Sequence, residues 1–437
     1  MGARETALNV LIACRKNGAW SNGVLKDYIS RDKLDRREAA LATRLCYGVL
    51  QNRNKLDFYL QQLLTGKIRD LHPVIHDILH LGLYQLYELD KIPDSAAVNE
   101  SVSLAKHYCR KQRFAPGLVN AVLRSAVRTK GTLQEPKSLT EKYSHPHELI
   151  KVLKESLGKE RLERMLAADN AIPETVVQVN TLKTTCQALM EALQTEGITA
   201  VPHGWMPDCL VLSGTGNLEQ LSSFRQGSFY VQDAAAKLSV LCAELSENSR
   251  VLDCCSAPGG KSFAAAMAMK GTGIIQSCDV HPHKITLIEN GAARLGISNL
   301  SACVQDASVR REEWVGAMDA VIADVPCSGY GIIRKKPDIR YKNPKEMENL
   351  PQLQLAILCN QADYVRPGGV LIYSTCTVLR RENEDVVRAF LERRPDFTLE
   401  KLPLPEVFQG HESGMLTLVP GEYDTDGFFI SRLRRKP

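Results

Sequence analysis

Residues 250–262 read RVLDCCSAPGGKS. A short apolar run closes on Asp253, two glycines follow, and GKSFAAAMAMK continues with helical spacing. A strand that passes through a glycine-containing loop into a helix is the opening unit of a doubly wound sheet. The text downstream keeps that rhythm. GIIQSC, LSACVQ, DAVIAD and GVLIYS are short β-branched or apolar runs, and PHKITLIENGAARLG and PQLQLAILCNQADYV are helical stretches between them. Residues 236–437 are therefore predicted to form an α/β, doubly wound (Rossmann-like) domain with a parallel sheet, and ligands are expected at the carboxyl ends of its strands.

Upstream the pattern changes twice. Residues 140–235 mix helical segments (ELIKVLKESLG, KERLERMLAADN, TTCQALMEALQTEG) with strand-like ones (TVVQVN, CLVLSG, GSFYVQD), which predicts a small α+β module. Residues 129–148, TKGTLQEPKSLTEKYSHPHE, are polar and contain proline, and read as a linker. Residues 1–130 read as an all-α bundle. RETALNVLIACRKNGA, RREAALATRLCYGVLQNRNKLDFYLQQLL, HPVIHDILHLGLYQLYEL, AVNESVSLAKHYC and GLVNAVLRSAVR all carry apolar residues at helical spacing.

Composition narrows the class. The 437 residues are 44% hydrophobic and 24% charged, as in soluble globular proteins. No apolar run approaches the roughly 18 residues of a membrane helix, and the first residues lack a signal-peptide pattern. The thirteen cysteines are scattered, with no CxxC pair and no paired histidine spacing noted, so neither a disulfide framework nor a metal site is expected. This reads as a reduced, cytoplasmic protein. Residues 1–137 hold 22 Lys and Arg against 13 Asp and Glu, and the remainder 33 against 37. A basic first third suits a polyanion, although an ordinary surplus of surface lysines would look the same.

Each predicted strand delivers an acid or a cysteine to one rim: DCCSAPGGKS, Asp279, Asp306, DVPCSGYG from Asp324, and STCT from Ser374. Gly260-Lys261-Ser262 looks like the end of a phosphate-binding loop, but Cys255 stands where that loop needs glycine, and Pro258 has no N–H to offer. Gly259 and Gly260 still permit close backbone approach. Asp279, 26 residues after Asp253, suits the ribose hydroxyls of an adenosine-containing cofactor. GxGxxG is absent, which disfavours NAD. Each acid taken singly is equally well a helix N-cap.

Cys327 and Cys376 stand at adjacent strand ends beside Asp324. That set suits methylation of a ring carbon: C5 of cytosine becomes nucleophilic only after a thiolate adds to C6, and an acid near N3 takes up developing charge. A thiol of pKa near 8.5 needs a local cation to ionise, and Lys261 is a candidate. The remaining cysteines (14, 46, 109, 186, 209, 242, 303 and 359) are expected to pack as small hydrophobes, as are Cys254, Cys255 and Cys278 near the rim.

DCCSAPGGK (253–261), DVPCSG (324–329) and STCT (374–377) together resemble the RNA cytosine-5 methyltransferases of the NOL1/NOP2/Sun group. Asn180-Thr181-Leu182-Lys183, Gln232-Asp233 and Asp426-Gly427-Phe428-Phe429 look like the same family, and AVNESVSLAK and GLVNAVLR resemble a NusB-type RNA-binding domain. The combination resembles the branch that acts on 16S ribosomal RNA. The resemblance implies S-adenosylmethionine held by Cys255, Ser256, Ala257, Pro258, Gly259, Gly260 and Lys261, with Asp279 at the ribose and Asp306 at the adenine. It makes Cys376 the nucleophile, Cys327 the residue that assists release, and Asp324 the contact to cytosine beside the methyl. Val325 and Thr377 depart from the alanine or proline, and the serine, usual there.

A cytosine must leave its stack to reach such a thiol, so a loop or single-stranded RNA target is expected, with the chain acting as a monomer. Arg334, Lys335, Lys336, Arg340, Arg380 and Arg381 are expected to contact phosphate, and Tyr341 to stack on a base. The same chemistry on transfer RNA, and a non-catalytic RNA-binding scaffold, are the alternatives. A nucleotide hydrolase built on Lys261 is the most distant.

Overall fold

The computed structural model describes residues 2–17, 21–411 and 413–437. It divides into two compact units, Met1–Val152 with Lys335–Asn343, and Leu153–Arg334 with Pro344–Pro437.

The first unit is helical: α1 (Ala3–Asn17), α2 (Ser21–Arg31), α3 (Arg36–Leu63), α4 (Pro73–Glu88), α5 (Asp94–Tyr108) and α6 (Ala115–Arg128). Gly18 and Ala19, the end of the first predicted stretch, lie outside the described residues. Asp35 starts α3 by accepting the Glu38 N–H, and Pro73 opens α4 where no N–H is needed. Ile75, Ile78, Leu79, Leu81, Leu83 and Leu86 bury α4 on nearly every side, so it forms the bundle's centre. Gly48 lets α3 approach it closely: a Cβ there would sit 1.9 Å from the Tyr84 ring. The sequence did not announce α2, because Gly23 interrupts its short apolar pattern.

Two expectations change in this unit. The stretch 129–148 is not a free linker. It contains α7 (Leu139–Lys142), capped by Ser138, and it buries Ser144 and His145 completely. Ser144 Oγ accepts the Asn54 N–H at 2.8 Å. The loop proposed to hold RNA is likewise occupied. Arg340 is fully buried and donates from Nη1 to the Gln51 and Ser144 carbonyls at 2.7 and 3.2 Å. Tyr341 donates its hydroxyl to the Leu50 carbonyl at 2.7 Å, and Asp338 accepts the Ser21 hydroxyl at 2.5 Å. Helix α3 presents carbonyls to which the guanidinium and phenol are matched, so these two side chains serve packing.

The second unit begins within α8 (His147–Ala168), bent at Gly158 where the two predicted helical segments meet; its φ of 71° suits glycine. Then come β1 (Thr175–Val179), α9 (Cys186–Thr195), β2 (Thr199–Pro202), β3 (Cys209–Ser213), α10 (Ser222–Arg225) and β4 (Phe229–Val231). The strands pair antiparallel in the order β2-β3-β1-β4 around Val177, Leu189, Leu193, Leu210 and Phe229. Strand β2 was not foreseen; it is a largely exposed edge ending in proline.

After α11 (Ala234–Leu241) the sheet is β5 (Arg250–Asp253), β6 (Ile274–Asp279), β7 (Leu300–Val304), β8 (Met318–Asp324) and β9 (Val365–Thr375), with α12 (Gly260–Ala268), α13 (Pro282–Leu295) and α14 (Leu350–Ala362) between strands. All five run parallel in the order β9-β8-β5-β6-β7. Val251, Ile275 and Ile322 face α12 and α13, while Leu252, Val321 and Leu371 face α14 and α15 (Glu384–Arg393). The chain steps from β5 outward to β6 and β7, then returns to β8 on the other side. The reversal lies between β5 and β8.

The sheet is mixed rather than purely parallel. β12 (Phe428–Arg435) runs antiparallel to β9, and β10 (Phe397–Leu399) and β11 (Met415–Leu418) pair with it. No strand is predicted over these residues, where RLRR places three arginines in four positions. Arg432 is buried, and Glu400 accepts its Nε–H at 2.7 Å.

Replacing Arg340 with methionine leaves two buried carbonyls short of a donor, at about 1–3 kcal/mol each. Calorimetry should show destabilisation of the helical unit by about 2–6 kcal/mol. A variant with unchanged stability and weakened RNA affinity would restore the phosphate-contact reading.

Candidate active site

The β5 loop is built to turn tightly. Ser256 sends both its N–H and its hydroxyl to the Cys278 carbonyl, at 2.8 and 3.1 Å, which fastens the loop to β6. The Ala257–Pro258 peptide is cis. Gly259 has φ 111° and caps α12; a Cβ there would meet the Phe263 ring at 2.4 Å, and one on Gly260 would meet Gln232 at 2.9 Å. Gly259 is therefore demanded by space as well as by backbone. Beneath them Asp253 is fully buried. Its Oδ2 accepts the Ser262 hydroxyl at 2.7 Å, and Ser277 donates to the same Ser262 oxygen at 2.7 Å. Oδ1 has no partner among the described residues. Burial pushes the Asp253 carboxyl up to about 7, against the pull of Ser262 and Lys261 and with help from Asp324.

Lys261 Nζ donates to Asp324 Oδ2 at 2.6 Å, and Ser374 donates its hydroxyl to Asp324 Oδ1 at 2.8 Å. One carboxylate thus joins the loops after β5, β8 and β9. Burial works against the charge on Lys261, but Asp324 outweighs it and holds the ammonium above its usual value; Asp253 and Cys376 add to the effect.

Cys327 and Cys376 lie 3.2 Å apart, sulfur to sulfur. The Cys327 thiol is pushed well up, first by its hydrogen bond to Cys376, then by burial, with Glu382 and Asp324 adding to it. The two loops are tied together below the sulfurs. Ser328 Oγ and Thr377 Oγ1 are 2.8 Å apart, and the Gly331 N–H reaches the Cys376 carbonyl at 2.9 Å. The Gly427 N–H in turn reaches the Gly331 carbonyl at 2.8 Å, an approach that a Cβ on Gly331 would block. Asp426-Gly427-Phe428 therefore supports the cysteine loop from the β12 side.

Asp279 sits at the next strand end, largely buried, with Oδ1 accepting the His281 N–H at 3.0 Å and Oδ2 3.4 Å from Lys284 Nζ. Asp306 is exposed. Its Oδ1 accepts the N–H and hydroxyl of Ser308, which hold the carboxyl below its usual range. Both acids make the short local turns that an N-cap would, and both keep lone pairs for a ligand. Cys255 is half-buried, 3.9 Å from the Cys254 sulfur.

Several supporting residues were not legible as such. Ser374, Ser328, Gln354 and Glu382 looked like ordinary rim or surface positions. Ser328, Ser374 and Glu382 lie close in sequence to Cys327 or Cys376, whereas nothing in the sequence ties Gln354 to either. The basic set fares differently from expectation. Arg334 pairs with Asp426 at 3.5 Å, Arg380 with Asp385 at 3.2 Å, and Arg340 is buried elsewhere. Of the cysteines expected to pack, Cys46, Cys109, Cys209 and Cys242 are buried, while Cys14, Cys186, Cys303 and Cys359 are partly exposed; all thirteen are free thiols. The sequence also carries a paired histidine spacing, contrary to expectation. His76 and His80, four apart on α4, place Nε2 at 2.6 and 2.8 Å from Asp57 Oδ1. Those are hydrogen-bond lengths, shorter than the roughly 3.3 Å between ligands around tetrahedral zinc.

Residues 240–434 match the family described as 16S rRNA methyltransferase RsmB/F, residues 1–128 the NusB family, and residues 145–219 the ferredoxin-like domain of RsmF/B-like methyltransferases. A Bacillus subtilis protein named "Probable ribosomal RNA small subunit methyltransferase B" is 36% identical over 99% of this chain and 98% of its own length. The solved structure of PH0851 superposes with a TM-score of 0.82 at 24% identity, covering 100% of this chain and 99% of that one. NSun6 from Pyrococcus horikoshii, solved with SFG, gives a TM-score of 0.59 at 21% identity over 67% of this chain and 98% of that one. The two structures share its fold.

The Asp253 carboxyl keeps its proton more tightly folded than unfolded. Folding stability from this group is thus greatest below about pH 4 and declines as pH rises through about 7. Asp253→Asn should gain stability relative to the native chain between pH 5 and 8, read from urea midpoints at each pH. A difference that stays constant with pH would contradict this.

Proposed function

The chain belongs to the ribosomal RNA small subunit methyltransferase B family, and from that premise we propose that it methylates C5 of a cytosine in 16S ribosomal RNA through a covalent bond between Cys376 and C6. It is an S-adenosylmethionine-dependent ribosomal RNA methyltransferase. The observation that carries the finer reading is the pair of thiols 3.2 Å apart beside the Lys261–Asp324 ion pair. Methylation of an exocyclic amine needs no thiol, whereas a ring carbon needs one to add and a base to take the C5 proton.

S-adenosylmethionine supplies an electrophilic methyl group. The Cys255–Lys261 loop would hold such a cofactor, and beneath it the fully buried Asp253 keeps Oδ1 without a partner among the described residues. Asp279 takes the ribose and Asp306 the adenine. RNA supplies an unstacked cytosine from a loop or single strand.

The steps follow from the two sulfurs. Cys376, whose sulfur lies 3.2 Å from that of Cys327, adds to C6 as a thiolate. The Lys261–Asp324 pair shares a proton with N3 as negative charge develops there and takes it back when the base is released, and C5 takes the methyl group in between. With the Cys376 electron pair now in the S–C6 bond, Cys327 no longer hydrogen-bonds to it, and its proton passes to solvent. The resulting thiolate takes the C5 proton. The C5–C6 double bond reforms, Cys376 leaves as a thiolate, and the starting hydrogen bond is restored. The net output is one methylated cytosine and one proton.

Residues 1–130 are the RNA-docking domain, 140–235 the connecting module and 236–437 the catalytic domain, working as a cytoplasmic monomer. Among the described residues no helix is long and apolar enough to cross a membrane.

Unmodified 16S and transfer RNA should be incubated with methyl-labelled S-adenosylmethionine and the product nucleosides resolved. Labelled 5-methylcytidine from 16S RNA is expected, and Cys376→Ala should abolish it while leaving cofactor binding intact. Label in transfer RNA alone would move the substrate, and normal turnover by Cys376→Ala would remove the nucleophile.

A further inference from the structure

Glu382 is fully buried in the turn Arg380–Glu382, six residues past Cys376. Its Oε2 accepts the Ser328 N–H at 2.9 Å and Gln354 Nε2–H at 3.0 Å. Gln354 Nε2 also donates to the Pro326 carbonyl at 2.9 Å. The residues on both sides of Cys327 are therefore fixed to one carboxylate. The same turn holds the Cys376 side. Tyr373 donates its hydroxyl to the Glu382 carbonyl at 2.5 Å, and Asn383 accepts the Thr375 hydroxyl at 2.6 Å and donates to the Thr377 carbonyl at 3.0 Å.

Burying a carboxylate on neutral donors is unfavourable. Here the second oxygen, Oε1, has no partner among the described residues. A leucine or methionine would fill the space more cheaply, so stability alone does not account for an acid at this position. What the acid does supply is placement: two donors, from the β8 loop and from α14, converge on a turn that lies six residues past Cys376.

We propose that Glu382 is a positioning residue for the release step, holding the Pro326–Ser328 turn so that the Cys327 sulfur faces the site where C5 loses its proton. The proposal rests on the reading of Cys327 as the base in that step. There the C5–H bond breaks, an S–H bond forms on Cys327, the C5–H electrons become the C5–C6 double bond, and the S–C6 pair returns to Cys376. Glu382 touches neither substrate nor cofactor. Its charge beside Cys327 also helps to keep that sulfur basic.

Misplacing the base by a fraction of an ångström slows release while addition and methyl transfer proceed, so the covalent adduct accumulates. Glu382→Gln keeps the shape and removes the charge. Gln354→Met leaves Glu382 in place and removes one of its donors, which serves if the first variant folds poorly. The full chain should be assayed with 16S RNA. The expected result for Glu382→Gln is a kcat about 10–100-fold lower, an unchanged KM for S-adenosylmethionine, and a larger fraction of protein–RNA adduct on a denaturing gel. Gln354→Met should shift all three in the same direction by less. Cys327→Ala runs in parallel. If it accumulates no adduct, the reading of Cys327 falls and the proposal with it. If it does accumulate adduct while both other variants keep native turnover and native adduct levels, Glu382 alone is overturned. Loss of thermal stability with kcat and KM changing together and no extra adduct would make Glu382 structural and would also overturn the proposal.

Discussion

Three loops of the catalytic sheet meet at one carboxylate. Asp324 ends β8, takes Lys261 from the β5 loop on one oxygen and Ser374 from β9 on the other. The strand order makes this possible. Because the chain reverses direction between β5 and β8, the helix that carries Lys261 starts beside the strand that carries Asp324, and a crevice opens between them. The ion pair spans that crevice. Without Asp324 the nearly buried Lys261 ammonium would be a poor cation, and without Lys261 the thiol of Cys376 would lack a positive neighbour. The proposed cofactor loop, acid and nucleophile all depend on a single polar junction, which the low dielectric of the crevice makes strong.

Below that junction the support is hydrogen-bonded backbone. The two cysteine loops are linked by the Ser328–Thr377 hydroxyls and by the Gly331 N–H on the Cys376 carbonyl, and Gly427 presses in from β12. Thr377, at a position where the family usually has serine, still supplies the hydroxyl that this link uses. The placement of the two thiols and the carboxylate thus depends on polar atoms buried one layer deeper.

Much of this was legible in the sequence because it is periodic or local. The five parallel strands and their helices follow from apolar runs of the right length. The rim residues follow from the rule that ligands gather at strand ends, and a kink at Gly158 follows from glycine between two helical patterns. What escaped was non-local. The strand β12 hides behind arginines whose partners, such as Glu400, are distant in sequence. Arg340 and Tyr341 look like an RNA-binding loop until α3 is seen to supply carbonyls for both. Glu382 follows two arginines and reads as surface, although it is fully buried. A charged residue's fate depends on what folds over it, and no window of sequence reports that.

The most direct test of the account is to find which sulfur bonds to RNA. Cys327→Ala protein should be incubated with S-adenosylmethionine and unmodified 16S RNA, digested with protease and nuclease, and analysed by mass spectrometry. The account predicts a methylated cytidine attached to the peptide that contains Cys376 and to no other cysteine. Attachment at a different cysteine, or methylated RNA with no attached peptide at all, would contradict it.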